Sequence, residues 1–182
     1  MNHQSLYKET LYSGPIFDVA KIYVQLPDGR ERGYDLVEHG DSVTILPIDN
    51  KGQIYFVTQY RVGSDSLLLE LPAGVLEDGE DPIETARREI REEIGMDASE
   101  IIPLGGFFLA PGYTDEYMSV FLAKGLYSSP LEPDEDEFIN LVAMSVETTY
   151  KKARTGEIED GKTLAALLMA MPYIKPDEEY TS

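Results

Sequence analysis

The chain has 182 residues, 42% of them hydrophobic, and a formal net charge of −19. That length and apolar fraction suit one globular domain with a sizeable core and exclude a disordered chain. The acidic balance excludes a nucleic-acid polymer as partner, since that needs a basic face; the lack of cysteine excludes a disulfide framework and thiol chemistry.

In chain order, MNHQSLYKET lacks the apolar core of a signal peptide, and no segment approaches a membrane span; both predict a cytoplasmic protein with no membrane partner. Residues 17–25 alternate as a strand, Pro27-Asp28-Gly29 signals a turn, and 32–38 read as the return strand, so a hairpin is expected to open the chain. Residues 43–48 and 54–60 are two further strands joined by the turn Asp49-Asn50-Lys51-Gly52. A short apolar strand over 67–71 stops at Pro72.

A helix is expected over about 82–94. Asp81 is a good N-cap, Pro82 falls at the first helical position, and Glu84 sits where a capping box places an acid. Ile83, Ala86, Ile90 and Ile94 recur at helical spacing as one buried stripe. Gly95 is placed to end the helix in the left-handed region. Strands over 105–109 and 118–123 then flank the loop 110–116. An acidic loop over 128–137 and a strand over 138–146 follow. Helices over 147–154 and 162–171 precede a polar tail. Short strands, a central helix and a closing helix pair indicate an α/β domain.

At 100° per residue, Glu89, Glu92 and Glu93 share one narrow arc bordering the apolar stripe. Carboxylates at such spacings repel by about 0.2–0.5 kcal/mol per pair even when solvated, and more near a core. A hard cation offsets that repulsion, and Mg²⁺ favours carboxylate oxygens shared with substrate phosphates. The plain alternative is a solvated helix face on which Arg87, Arg88 and Arg91 pair with the acids. Nothing in a solvated face, however, requires a glycine at position 74, fifteen residues before Glu89. His3 and His39 are not spaced as a metal pair and enter no motif with a histidine base.

From Gly74 to Met96 the chain reads G-x5-E-x7-R-E-U-x-E-E-x-G-U, where U is a bulky aliphatic; Gly74, Glu80, Arg88, Glu89, Glu92, Glu93 and Gly95 are identities. At ordinary residue frequencies a chance match at a given start is about one in 10⁸. This is the Nudix box, and the chain resembles the Nudix hydrolases, which cleave nucleoside diphosphates linked to another moiety with divalent metal. The resemblance implies a mixed sheet sandwiched between helices, with the box as a loop–helix–loop. It implies Glu89 and Glu93 as main metal ligands, Glu92 assisting, and the Ala73 carbonyl completing a site for Mg²⁺, or Mn²⁺. Arg88 and Glu80 would pair behind the helix glutamates. Residues 1–40 would form an N-terminal β extension that builds a homodimer, ahead of a Nudix domain over 41–182.

The resemblance covers roughly residues 12–171 and points to ADP-ribose pyrophosphatases. Gln59-Tyr60-Arg61 and Leu69-Glu70-Leu71-Pro72-Ala73-Gly74 look like segments of that subfamily, as do Glu135-Asp136-Glu137-Phe138-Ile139, Gly156-Glu157-Ile158 and Lys162-Thr163-Leu164. Pro111 lies 15 residues after Met96, the pattern associated with ADP-ribose hydrolysis. Pro111-Gly112 is otherwise an ordinary turn, Arg61 a strand-end surface arginine, and Glu70 a strand end. In the subfamily Pro111 and Gly112 belong to the substrate loop, Arg61 contacts the substrate, with a guanidinium suited to a diphosphate, and Glu70 lies near the bound nucleotide.

Ala110 replaces the subfamily's serine and so removes a hydroxyl donor. Glu116, on the same loop and able to close over substrate, is the candidate general base, with Glu137 or Glu92 as alternatives. The expected activity is metal-dependent hydrolysis of ADP-ribose and related nucleoside diphosphate sugars. The rival readings are a Nudix enzyme for GDP-mannose or a dinucleotide such as NADH, a non-catalytic nucleotide-binding Nudix domain, and a metal-free structural role.

Overall fold

A computed structural model describes residues 4–132 and 139–174. His3, the second half of the expected acidic loop with Glu137, Phe138, and most of the polar tail lie outside the described residues. The chain divides into two compact units.

The first unit holds residues 1–41 and 107–118. Its antiparallel sheet runs in the order β1 (Gln4–Ser13), β2 (Phe17–Gln25), β3 (Glu31–His39). The expected hairpin is β2–β3, and its turn places Gly29 at φ +85. It does not open the chain, because β1 precedes it. Every position of β1 is exposed, so no buried face imposes the two-residue alternation that marks a strand. Cross-strand contacts hold it instead. Tyr7 stacks on Tyr23 at a centroid distance of 4.3 Å, and the Lys8 Nζ donates to both oxygens of Glu38 at 3.0 Å.

The second unit holds residues 42–106 and 119–182. Its sheet is built on β4 (Ser42–Ile48) and β5 (Gln53–Arg61), joined by a turn in which Asp49 Oδ1 accepts from the N–H groups of Lys51 and Gln53 at 2.8 Å. β6 (Ser66–Glu70) pairs with β5, and β7 (Ala73–Val75) pairs with β4. After α1 (Pro82–Glu93) come β8 (Met96–Phe108), β9 (Tyr117–Ser128) and β10 (Asn140–Ser145), giving the strand order β10-β5-β4-β9-β8. The helices α2 (Val146–Thr155) and α3 (Gly161–Ile174) close the chain.

β4 is buried at every position, as a strand covered on both faces must be. Val43 and Ile45 join Ala86, Ile90, Ile94 and Phe121 in one cluster, so these odd positions face α1. The even positions point the other way, and α3 packs on β4. The sheet is therefore sandwiched between helices. Ile83 departs from the expected stripe: it is 37% exposed, while Ala86 and Ile90 are fully buried. Ile83 has the right angular phase, so its exposure marks where the packed surface ends, one turn into the helix. β8 and β9 run well beyond the expected segments, and β7 was too short to leave a pattern. Among the described residues, no helix is long and apolar enough to cross a membrane.

Candidate active site

Residues 72–81 deliver the chain from β6 into α1. The Pro72 carbonyl accepts from Ile45 N at 2.9 Å and from Thr44 Oγ1 at 3.2 Å, which sets β7 against β4 with Gly74 opposite Val43. Asp81 caps α1: its Oδ1 accepts from Ile83 N at 2.8 Å, and Pro82 follows at the first helical position. Gly95 leaves the helix at φ +70. Glu84 is exposed in the first turn.

This frame presses two of the box glutamates into the protein. Glu89 is 7% and Glu93 9% exposed, unusual burial for carboxylates. A Cβ placed on Gly74 would lie 1.8 Å from Glu89 Oε1. Glycine is therefore required by space, since its φ is ordinary. Glu93 Oε2 accepts from Ala73 N at 3.3 Å.

Arg88 is the hub. Its Nε and Nη2 reach the two Glu80 oxygens at 3.2 and 3.1 Å, and Nη2 also donates to the Val75 carbonyl at 3.1 Å. Its Nη1 donates to Glu89 Oε1 at 2.7 Å and to Glu92 Oε2 at 3.1 Å. The hydrogen bonds from Arg88 hold the Glu80 carboxyl down to about 2, and those anions raise the guanidinium further above its ordinary value. One cation thus serves three carboxylates.

Among the described residues, no three acids or histidines stand ready-made around an ion: Glu89 and Glu92 turn to Arg88, and Glu93 turns to Ala73. The donor set nevertheless suits a hard divalent cation. It consists of crowded, partly buried oxygen donors on one helix face, beside a glycine that leaves room for one of them.

A second charged cluster lies on β5, β6 and α3. Arg61 grips Glu70 side-on, with Nε to Oε1 at 2.9 Å and Nη2 to Oε2 at 2.7 Å. Lys162 Nζ donates to the same Glu70 carboxylate and, at 3.1 Å, to Asp160 Oδ1. Burial pushes the Glu70 carboxyl up, but the Arg61 hydrogen bonds and the Lys162 charge outweigh it and hold the group below its ordinary range. Glu70 is 1% exposed, so it sits behind Arg61. Nothing in the sequence near Glu70 signals Lys162, 92 positions away.

Glu116, Pro111 and Gly112 belong to the first unit. The Ala110 carbonyl accepts from Tyr113 N and Thr114 N at 3.0 Å, which closes the turn through Pro111 and Gly112. The loop is tied to β3: Val37 N donates to the Tyr113 carbonyl at 2.7 Å, and Asp115 Oδ1 accepts from His39 N at 2.8 Å. His39 Nδ1 lies 3.8 Å from Glu116 Oε2 and 2.8 Å from the Gly40 carbonyl oxygen. The neighbourhood of His39 and Glu116 had no signal in the sequence, because it depends on how β3 meets the loop.

The profile of the NUDIX domain matches residues 38–167. The chain belongs to the Nudix family. It is 34% identical over 169 residues to a protein of Bacillus subtilis (strain 168) named ADP-ribose pyrophosphatase, spanning 92% of this chain and 91% of that one. It is 33% identical over 166 residues to the methanol dehydrogenase activator of Bacillus methanolicus, covering 90% of each. A crystal structure titled as an ADP compounds hydrolase superposes with a TM-score of 0.86 at 25% identity, covering 98% of this chain and 97% of that one. The Nudix box is thus the loop–helix–loop from Gly74 through α1 to Met96.

Proposed function

We propose that this Nudix protein hydrolyses the diphosphate bond of ADP-ribose and related nucleoside diphosphate sugars, releasing AMP and ribose 5-phosphate from ADP-ribose. The observation that carries this reading is the set of box carboxylates packed around Gly74 and Arg88. The similarity along nine-tenths of the chain to a protein named ADP-ribose pyrophosphatase supports the substrate.

Glu89, Glu93 and Glu92, with the Ala73 carbonyl, would hold Mg²⁺, or Mn²⁺. When bound, the ion neutralises diphosphate charge and acidifies water. Arg88 and Glu80 pair and hold the helix carboxylates in place. Arg61 takes a diphosphate oxygen through its remaining Nη1. Glu116 accepts the proton of the attacking water. The backbone of its loop is hydrogen-bonded to β3, which fixes where the Glu116 side chain starts. Glu116→Gln is expected to lower kcat by about 10²–10⁴ while KM changes little, the usual span for a general base; an unchanged kcat moves the base to Glu92 or Glu137. The exposed Leu6, Leu11 and Tyr12 of β1, with Ile16 in the turn that follows, support use of the N-terminal extension as a homodimer element.

The deciding experiment is chromatography of the protein incubated with ADP-ribose and Mg²⁺, beside an EDTA control. AMP is expected only with metal. No AMP from folded protein rejects ADP-ribose as substrate. A broader specificity has one observation in its favour: Ala110 stands where the subfamily has a serine, so the loop lacks that hydroxyl donor for the sugar. A panel including GDP-mannose and NADH separates the two.

A further inference from the structure

Lys162 is 8% exposed, and the carboxylate it holds is 1% exposed. A buried lysine is rare and calls for a reason. The simplest is a staple between α3 and β6, but α3 is already fastened there without it. Thr163 Oγ1 accepts from Leu71 N at 2.9 Å, and Asp160 Oδ2 accepts from Thr163 N at 2.9 Å. A buried ion pair adds little stability beyond what an apolar pair of similar volume gives. Stability therefore does not account for placing charge here.

The charge count does. Arg61 and Lys162 carry two positive charges, and Glu70 and Asp160 two negative ones, so the cluster sums to zero. Without Lys162 it sums to −1, and Glu70 would pull on Arg61 as its remaining cation. Arg61 is the outermost member, with its side chain 42% exposed. Glu70 engages Nε and Nη2 and does not take Nη1. The hydrogen bonds of Arg61 to Glu70 raise the guanidinium above its ordinary value, and the charge of Glu93, a box carboxylate, adds to this.

We infer that Lys162 is a positioning residue for the diphosphate grip: it offsets the charge of Glu70, and Glu70 in turn holds Arg61 side-on with Nη1 presented to substrate phosphate. This rests on the ADP-ribose reading above. Lys162 touches no substrate itself; it acts through Glu70 and Arg61.

The test is steady-state kinetics on ADP-ribose at saturating Mg²⁺ for the parent, K162M, K162R, R61A and R61A/K162M. K162M is expected to raise KM about tenfold with kcat within about threefold, the signature of a lost ground-state grip. K162R, which keeps the charge, recovers most of the parental KM. In the R61A background K162M changes KM by less than about twofold, because the route through Arg61 is gone. An unchanged KM in K162M, or an equal penalty in both backgrounds, overturns the inference. If K162M does not fold by near-ultraviolet circular dichroism, E70Q replaces it in the same cycle, and an unchanged KM there is equally fatal. A parent that releases no AMP rejects the ADP-ribose reading instead; the cycle is then read as the Kd for ADP by calorimetry, with the same expected non-additivity.

Discussion

Glu93→Gln is expected to lower kcat by about 10³ or more, the scale of several kcal/mol of metal-ion stabilisation, while the protein stays as stable as the parent. The two outcomes have separate physical causes. Glutamine matches glutamate in shape, so the buried site at the end of α1 stays filled, and the amide oxygen can still accept from Ala73 N. Removing one carboxylate also relieves repulsion on an arc that carries Glu89 and Glu92. What is lost is the charge that would draw a divalent cation to the helix face. The measurements are AMP release at saturating ADP-ribose and Mg²⁺, and the melting temperature by calorimetry. Full activity in the variant would remove Glu93 from the metal set. A large fall in melting temperature would make the residue structural.

Gly74→Ala is expected to damage both activity and stability. The new methyl would meet Glu89 Oε1 at 1.8 Å, Cδ at 2.1 Å and Oε2 at 2.6 Å. Glu89 cannot simply swing away, because it is buried and Arg88 holds it at 2.7 Å. The alternative is for β7 to move off β4, which would break the pairing of Gly74 with Val43. Overpacking of this kind costs about 1–3 kcal/mol. The displacement of a box carboxylate is expected to lower kcat about 10²-fold. The double variant with Glu89→Ala isolates the cause. If the clash is responsible, that second change restores much of the lost stability, and the two effects are far from additive. Additive losses would show that the glycine serves the backbone and not the carboxylate.

The parts of this protein legible in the sequence are those governed by local rules. The α1 N-cap at Asp81, Pro82 at the first helical position, and the left-handed exit at Gly95 each depend on a few neighbouring residues. So does the grouping of Glu89, Glu92 and Glu93 on one face, because the helical period alone brings them together. The buried strand β4 announced itself by the mostly apolar residues 43–48, and the turn after it by Asp49 and Gly52. Strands without a buried face, or only three residues long, did not. β1 is exposed throughout, and β7 exists because the Pro72 carbonyl and the edge of β4 hold it in place.

The sequence by itself determined the family, the helix that carries the box acids, and the spacing of glycine and acids along it. All of these are set by interactions within one or two turns of chain. Tertiary structure alone decided that Gly74 is a matter of space for Glu89, and that Arg88 binds Glu80, Glu89 and Glu92 at once. It also decided that Glu70 stands behind Arg61 in the hold of Lys162 from α3, and that the Glu116 loop is tied to β3. These pairings join segments far apart in the chain. Their geometry follows from which strands and helices the packed core brings side by side, and no local pattern encodes that.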